Sequence, residues 1–215
     1  MAKKKKFNRE DLVKYYMEFR LEHGDTKMSE YQFCKTYNLE EGTFYQLTPS
    51  LKKLSELVYL MMHEHCLDLL VQDDSYETYS KENKVLSYFY TLFEIFTANR
   101  SFILMDLSSM QVTKLKLLKQ GFQDFIKSLH LEPLDIKEKR IQKIQSKSIE
   151  ELYFVQLLST IKFWMEDESL GFEKTDLYIE KSVRAGFEIS KTLEMKEVLD
   201  FGKFMFKETF KNFSL

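Results

Sequence analysis

Between Ser29 and Leu54 the chain reads Ser-Glu-Tyr-Gln-Phe-Cys-Lys-Thr-Tyr-Asn-Leu-Glu-Glu-Gly-Thr-Phe-Tyr-Gln-Leu-Thr-Pro-Ser-Leu-Lys-Lys-Leu, and few folds accommodate that punctuation. Ser29 offers a hydroxyl to the unpaired N–H groups that open a helix, and Phe33, Cys34 and Tyr37 are spaced to line one face. Asn38 suits the left-handed residue that ends such a helix, because its short polar side chain tolerates positive φ. Leu39 then turns inward, and a second short helix is predicted from about Glu40 to Gln46. Pro49 and Ser50 mark a break before Leu54, Leu57, Val58 and Met61 recur at helical spacing. Two short helices, a tight turn and the start of a long third helix outline a helix-turn-helix, whose second helix is offered to the DNA major groove.

The rest of the chain points to an all-α protein. Only 6 Gly and 2 Pro occur in 215 residues, too few for the turns that many hairpins require. Val and Ile are sparse beside Leu, Lys, Glu, Met and Phe, which disfavours a large sheet. A first helix from about Asn8 to Glu22 places Leu12, Tyr15, Tyr16 and Phe19 on one side, with Gly24 stopping it. A long helix over 50–71 links a DNA-binding domain at 1–50 to a larger domain at 51–215. Gln72–Lys84 is polar and reads as a loop or frayed turn. Val85–Ala98 is apolar nearly all round, as in a helix enclosed by others. Leu115–Leu129 carries a clear stripe, Pro133 breaks the chain, and a charged stretch to about Lys147 reads as a short helix plus loop. Further helices are expected at Glu150–Asp167, Gly171–Ser190 and Val198–Phe213.

The first 60 residues resemble the DNA-binding domain of the tetracycline-repressor (TetR) family of bacterial transcription regulators. Gly42, Thr43, Phe44, Tyr45, Pro49 and Ser50 stand where that family marks its recognition helix and the entry to its fourth helix. Ala98-Asn99-Arg100-Ser101 and Ser169-Leu170-Gly171-Phe172-Glu173-Lys174-Thr175-Asp176 are similar to a regulatory domain found in some members. The resemblance implies a homodimeric, ligand-responsive regulator, in the commonest case a repressor that binds a palindromic operator in double-stranded DNA. It also implies a subunit interface on the two late helices, 150–167 and 171–190.

Charge fits this reading only thinly. The first 60 residues carry 11 Lys and Arg against 9 Asp and Glu, whereas DNA binders normally gather cations where they meet phosphate. The presumed recognition helix opens on Glu40 and Glu41, with no Lys or Arg between Thr36 and Leu51. Glutamates there complement the helix dipole but repel phosphate. The candidate DNA-contacting residues are Ser29, Tyr31, Glu41, Thr43, Tyr45, Gln46 and Lys52. The hydroxyls of Thr43 and Tyr45 suit phosphate, Gln46 suits an adenine edge, and Glu41 suits cytosine N4. Lys3–Lys6 is a candidate basic arm for the backbone or minor groove.

The larger domain is rich in rings: the chain holds 19 Phe, 12 Tyr and 10 Met. In the family it resembles, the second domain encloses an apolar pocket for a small effector. Tyr88, Phe89, Leu92, Phe93, Phe96, Phe122, Phe125 and Trp164 are the candidate lining, and a small hydrophobic effector, neutral or lipid-like rather than anionic, is expected. No phosphate loop, nucleophile elbow or His-Glu-x-x-His occurs, so no enzyme, cofactor or metal is expected. His63-Glu64-His65-Cys66 lacks the spacing to converge on one ion and reads as surface or domain junction. Cys34 and Cys66 read as small core residues of a reducing compartment. No signal peptide or membrane span is apparent, which makes the cytoplasm the default. The acidic recognition helix keeps a second reading open: a protein of this fold with weak or no DNA binding, serving as a hydrophobic-ligand carrier or interaction module.

Overall fold

A helix start needs acceptors for its orphan N–H groups, and Asn8 supplies one. Its side chain accepts from Asp11 N–H at 2.8 Å, while Asp11 Oδ2 accepts from Asn8 N–H at 3.2 Å. In the computed structural model, which describes residues 7–24, 26, 28–108, 112–131, 139–192, 204 and 207, α1 runs Arg9–His23 and ends at Gly24, whose φ of 60° a side chain would resist. Ser29 and Gln32 make the same reciprocal cap on α2, Glu30–Thr36. Asn38 takes the left-handed turn at φ 51°, and Leu39 N–H donates to Cys34 O at 2.8 Å. The short α3 spans Glu41–Leu47, held to α2 by the Phe33 and Phe44 rings at 5.9 Å between centroids. Ser50 accepts from Lys53 N–H and starts α4, Leu51–Val71. This is a helix-turn-helix.

Beyond it lie α5 (Lys81–Ala98), α6 (Arg100–Asp106), α7 (Lys116–Ser128), α8 (Lys139–Glu166) and α9 (Glu173–Thr192), and no strand occurs among the described residues. Contacts close a ring: α4 meets α5, α5 meets α9, α9 meets α8, α8 meets α7, and α7 returns to α4. Helix α1 packs on α4 and α6, which seats the head against the body. The core of that ring is aromatic, with Tyr88, Phe89, Phe96, Phe122, Tyr153 and Trp164 all fully buried. Each such side chain contributes roughly 1.5–3 kcal/mol by leaving water.

Several sequence expectations need correction. Within the polar stretch 72–84, expected as a loop or frayed turn, Tyr76 is buried in a short 3-10 turn, Tyr76–Thr78, but the last residues belong to α5, which Ser80 caps four residues early by accepting from Asn83 N–H. Helix α5 is not enclosed all round, for Leu86 and Tyr90 are half-buried and Glu94 is exposed. It ends at Ala98, the expected end, where the Asn99 side-chain amide donates to Ile95 O at 2.8 Å and α6 starts afresh at Arg100. The charged residues from Lys139 are not a separate helix and loop but the first turns of α8. His63 is core, not surface: it is buried, with Nδ1 2.7 Å from the Tyr88 hydroxyl. The expected helix Val198–Phe213 lies outside the described residues apart from two positions, and Lys3–Lys6 lies wholly outside them.

Candidate nucleic-acid interface and regulatory cleft

The turn that joins α2 to α3 leaves two tyrosines on the outside of the head, Tyr31 59 % and Tyr45 53 % exposed. The Tyr45 ring packs edge-on against the buried Phe44 at 5.2 Å between centroids, which leaves its hydroxyl outward to meet a partner. Partial desolvation and then the carboxylates of Glu30 and Glu41 raise the Tyr45 phenol above its ordinary value, which keeps it a donor at neutral pH. Glu41, Gly42, Gln46 and Lys52 are exposed with it, and Thr43 is half-buried. Ser29 has its hydroxyl within the α2 cap, where it accepts from Gln32 N–H. Phe44, between Thr43 and Tyr45, is fully buried and fixes which way its neighbours point. Glu30 is occupied structurally: Leu51 N–H donates to its Oε1 at 3.3 Å, tying α2 to the start of α4. Gly42 is open, since a methyl group built there meets nothing within 4 Å.

Head and body meet at a buried carboxylate. Asp106, at the end of α6, is 2 % exposed. Tyr59 of α4 donates its hydroxyl to Oδ2 at 2.9 Å, and Lys114 Nζ donates to Oδ1 at 2.8 Å. Arg20 of α1 lies 3.7 Å from the same Oδ1. Burial first, then the Asp106 charge and hydrogen bond, push the Tyr59 phenol far above its ordinary range, so it remains a donor. One carboxylate therefore holds a head helix, the connecting helix and a body helix at once. Buried charges persist only where partners surround them.

The aromatic residues that the sequence offers as effector lining form one packed chain. Tyr88 stacks on Phe125 at 4.6 Å and meets Phe122 at 5.1 Å, while Phe89 meets Phe122 at 6.0 Å and Phe93 at 6.4 Å. Phe93 reaches Phe96 at 5.5 Å and Trp164 at 6.0 Å, and Leu92 is fully buried among them. Phe93 and Trp164 also face a cleft of about 490 Å³ between the last turns of α5, the end of α8 and the start of α9. Tyr90, Glu94, Thr97, Ala98, Gly171, Phe172, Thr175 and Asp176 complete its wall. The sequence hinted at this site: Glu94 is the single charge in the apolar run 85–96, and Gly171-Phe172 interrupts a helical pattern.

The rim is built with care. Asp167 accepts from Ser169 N–H and Oγ at 2.8 and 2.7 Å, and from Thr175 N–H and Oγ1 at 2.9 and 2.6 Å. Burial opposes its ionisation, but those four bonds win and hold the carboxyl well below the usual range. Arg100 donates to the carbonyls of Trp164, Met165 and Asp167 at 2.9, 3.3 and 3.2 Å, and its guanidinium lies 4.5 Å from the centroids of both Trp164 and Phe172. Phe172 has φ 61°, a left-handed backbone that costs a bulky residue on the order of 1–3 kcal/mol. The Ala98–Ser101 and Ser169–Asp176 stretches, far apart in sequence, thus meet through Arg100. Among the described residues no three His, Cys, Asp or Glu side chains are placed to share a metal ion, and no helix is long and apolar enough to cross a membrane.

Residues 84–205, more than half of the chain, match the tetracyclin repressor-like C-terminal domain. No curated protein and no solved structure matches the chain.

Proposed function

The chain belongs to the tetracyclin repressor-like family, and from that premise we propose that it is a cytoplasmic, homodimeric repressor released from a palindromic operator by a small effector. The observation that carries the reading is the buried Asp106 cluster. It joins α1 of the head, α4 and α6, so a shift of α6 when the body is occupied must be felt by the head. An effector acts through this joint only if it binds one arrangement of the two heads better than the other. Tyr31, Thr43, Tyr45, Gln46 and Lys52 are the DNA-contacting set, with Glu41 reading a base or setting a repulsive limit on affinity. The subunit interface is the outer face of α8 and α9. Phe163 stacks on Tyr178 there at 4.6 Å and Leu177 stands 49 % exposed, and these residues border an apolar groove of about 450 Å³.

A specific observation favours a second reading, a ligand carrier of the same fold. The face of α3 presents carboxylates and no cation from residue 37 to residue 51. Nuclease protection on the promoter beside the protein's own gene decides between the two. The repressor protects a palindrome and yields it when an effector is added. A carrier leaves the promoter open to cleavage at every protein concentration.

A further inference from the structure

We propose that the cleft between α5, α8 and α9 takes an organic cation, a lipophilic amine or quaternary ammonium with an aromatic or apolar body. Four rings wall it, Tyr90, Phe93, Trp164 and Phe172, and two carboxylates open into it, Glu94 and Asp176. Ring faces attract cations through their quadrupole, most strongly where water is excluded. The protein already uses these faces so, with the Arg100 guanidinium seated over Trp164 and Phe172. Arg100 is committed to three backbone carbonyls and does not reach the two acids as an ion pair.

Both carboxylates are exposed and, among the described residues, neither is tied into an ion pair, although Asp176, in the first turn of α9, complements that helix's dipole. Asp167 has the capping role at the head of α9. Burial, then Glu94, Asp167 and Glu173, raise the Asp176 carboxyl above its ordinary value. Unpaired like charges gathered beside aromatic faces are relieved by a bound cation and aggravated by an anion. The strained backbone at Phe172 holds one ring of the wall in place. A neutral ligand uses the rings and leaves the acids unanswered.

This inference rests on the effector-sensing role proposed above and gives it a ligand chemistry. Trp164 is the chain's only tryptophan, so its fluorescence reports directly on the cleft. Full-length protein is titrated with 4-phenylbutylamine, 4-phenylbutanol and 4-phenylbutyrate, one skeleton carrying a positive, a zero and a negative charge at neutral pH. The amine should bind at least about tenfold more tightly than the alcohol, and the acid should not bind. A Glu94→Gln, Asp176→Asn double variant should level amine with alcohol while its circular dichroism stays native. An alcohol that matches the amine, or an amine unaffected by the double variant, overturns the cation site, and so does silence from all three. Sensing is read separately, on duplex DNA. Binding of the amine without any change in DNA affinity would remove the sensing role and leave the cation site standing.

Discussion

A methyl group at Gly121 of α7 would lie 2.6 Å from Cδ2 and Nε2 of His63, closer than packed atoms tolerate. Gly121→Ala should therefore destabilise the protein by about 1–3 kcal/mol through overpacking, measured as a lower midpoint in urea. His63 itself is held neutral. Burial pushes its pKa down to about 4, with Asp124 opposing weakly. In the unfolded chain the same ring takes a proton near pH 6.5, so its contribution is complete above that pH and lost as pH falls through about 4. Between those limits unfolding free energy should drop by up to about 3 kcal/mol, and His63→Asn should flatten that part of the profile. On the head, Tyr45→Phe removes an exposed hydroxyl that nothing in the fold requires. It should weaken DNA binding by about 1 kcal/mol, equally across sequences, because phosphate contacts position without specifying. An unchanged affinity, with the fold intact, would mean that the outer face of α3 does not touch DNA.

At the scale of elements the joint at Asp106 is the place to cut. Tyr59→Phe leaves the carboxylate one donor short and should cost about 1–2 kcal/mol of stability. More telling, it should reduce the change in DNA affinity that an effector produces while leaving effector binding alone. Equal coupling in wild type and variant would move the joint elsewhere. On the outer face of α9, Leu177→Arg should turn a dimer into a monomer in light scattering, since a charge set in an apolar interface has no partner. The short helices of the head were legible because their signals are local: a Ser29 cap, Asn38 at a left-handed turn, Ser50 at the next cap. The start of α5 was missed because Ser80 looks like one polar residue among many, and only its bond to Asn83 marks it as a cap. The early turns of α8 were missed because their residues are charged, and charge along a helix is mute about where the helix begins.

At the scale of the molecule, sequence periodicity identified most of the body's helices, but not which neighbours close the ring from α4 through α5, α9, α8 and α7. That closure decides the cleft. It brings Glu94 to Asp176 and Arg100 to Phe172 across more than 70 positions of sequence, a separation no local pattern encodes. The rings proposed as effector lining were easy to name because they are apolar, and for the same reason they fill the core against one another. The polar wall of the cleft carried the weaker signal and the more specific chemistry. Whether the head binds DNA is tested most sharply by the salt dependence of affinity for a palindromic duplex, followed by fluorescence anisotropy from 50 to 200 mM salt. If the head contacts phosphate through two subunits, log K should fall linearly with log salt, by about 0.9 for each phosphate neutralised, and displacement by an unrelated duplex should be weak. A flat line, or no binding at the lowest salt, would mean that the head does not bind DNA and leave a ligand carrier built on a repressor fold.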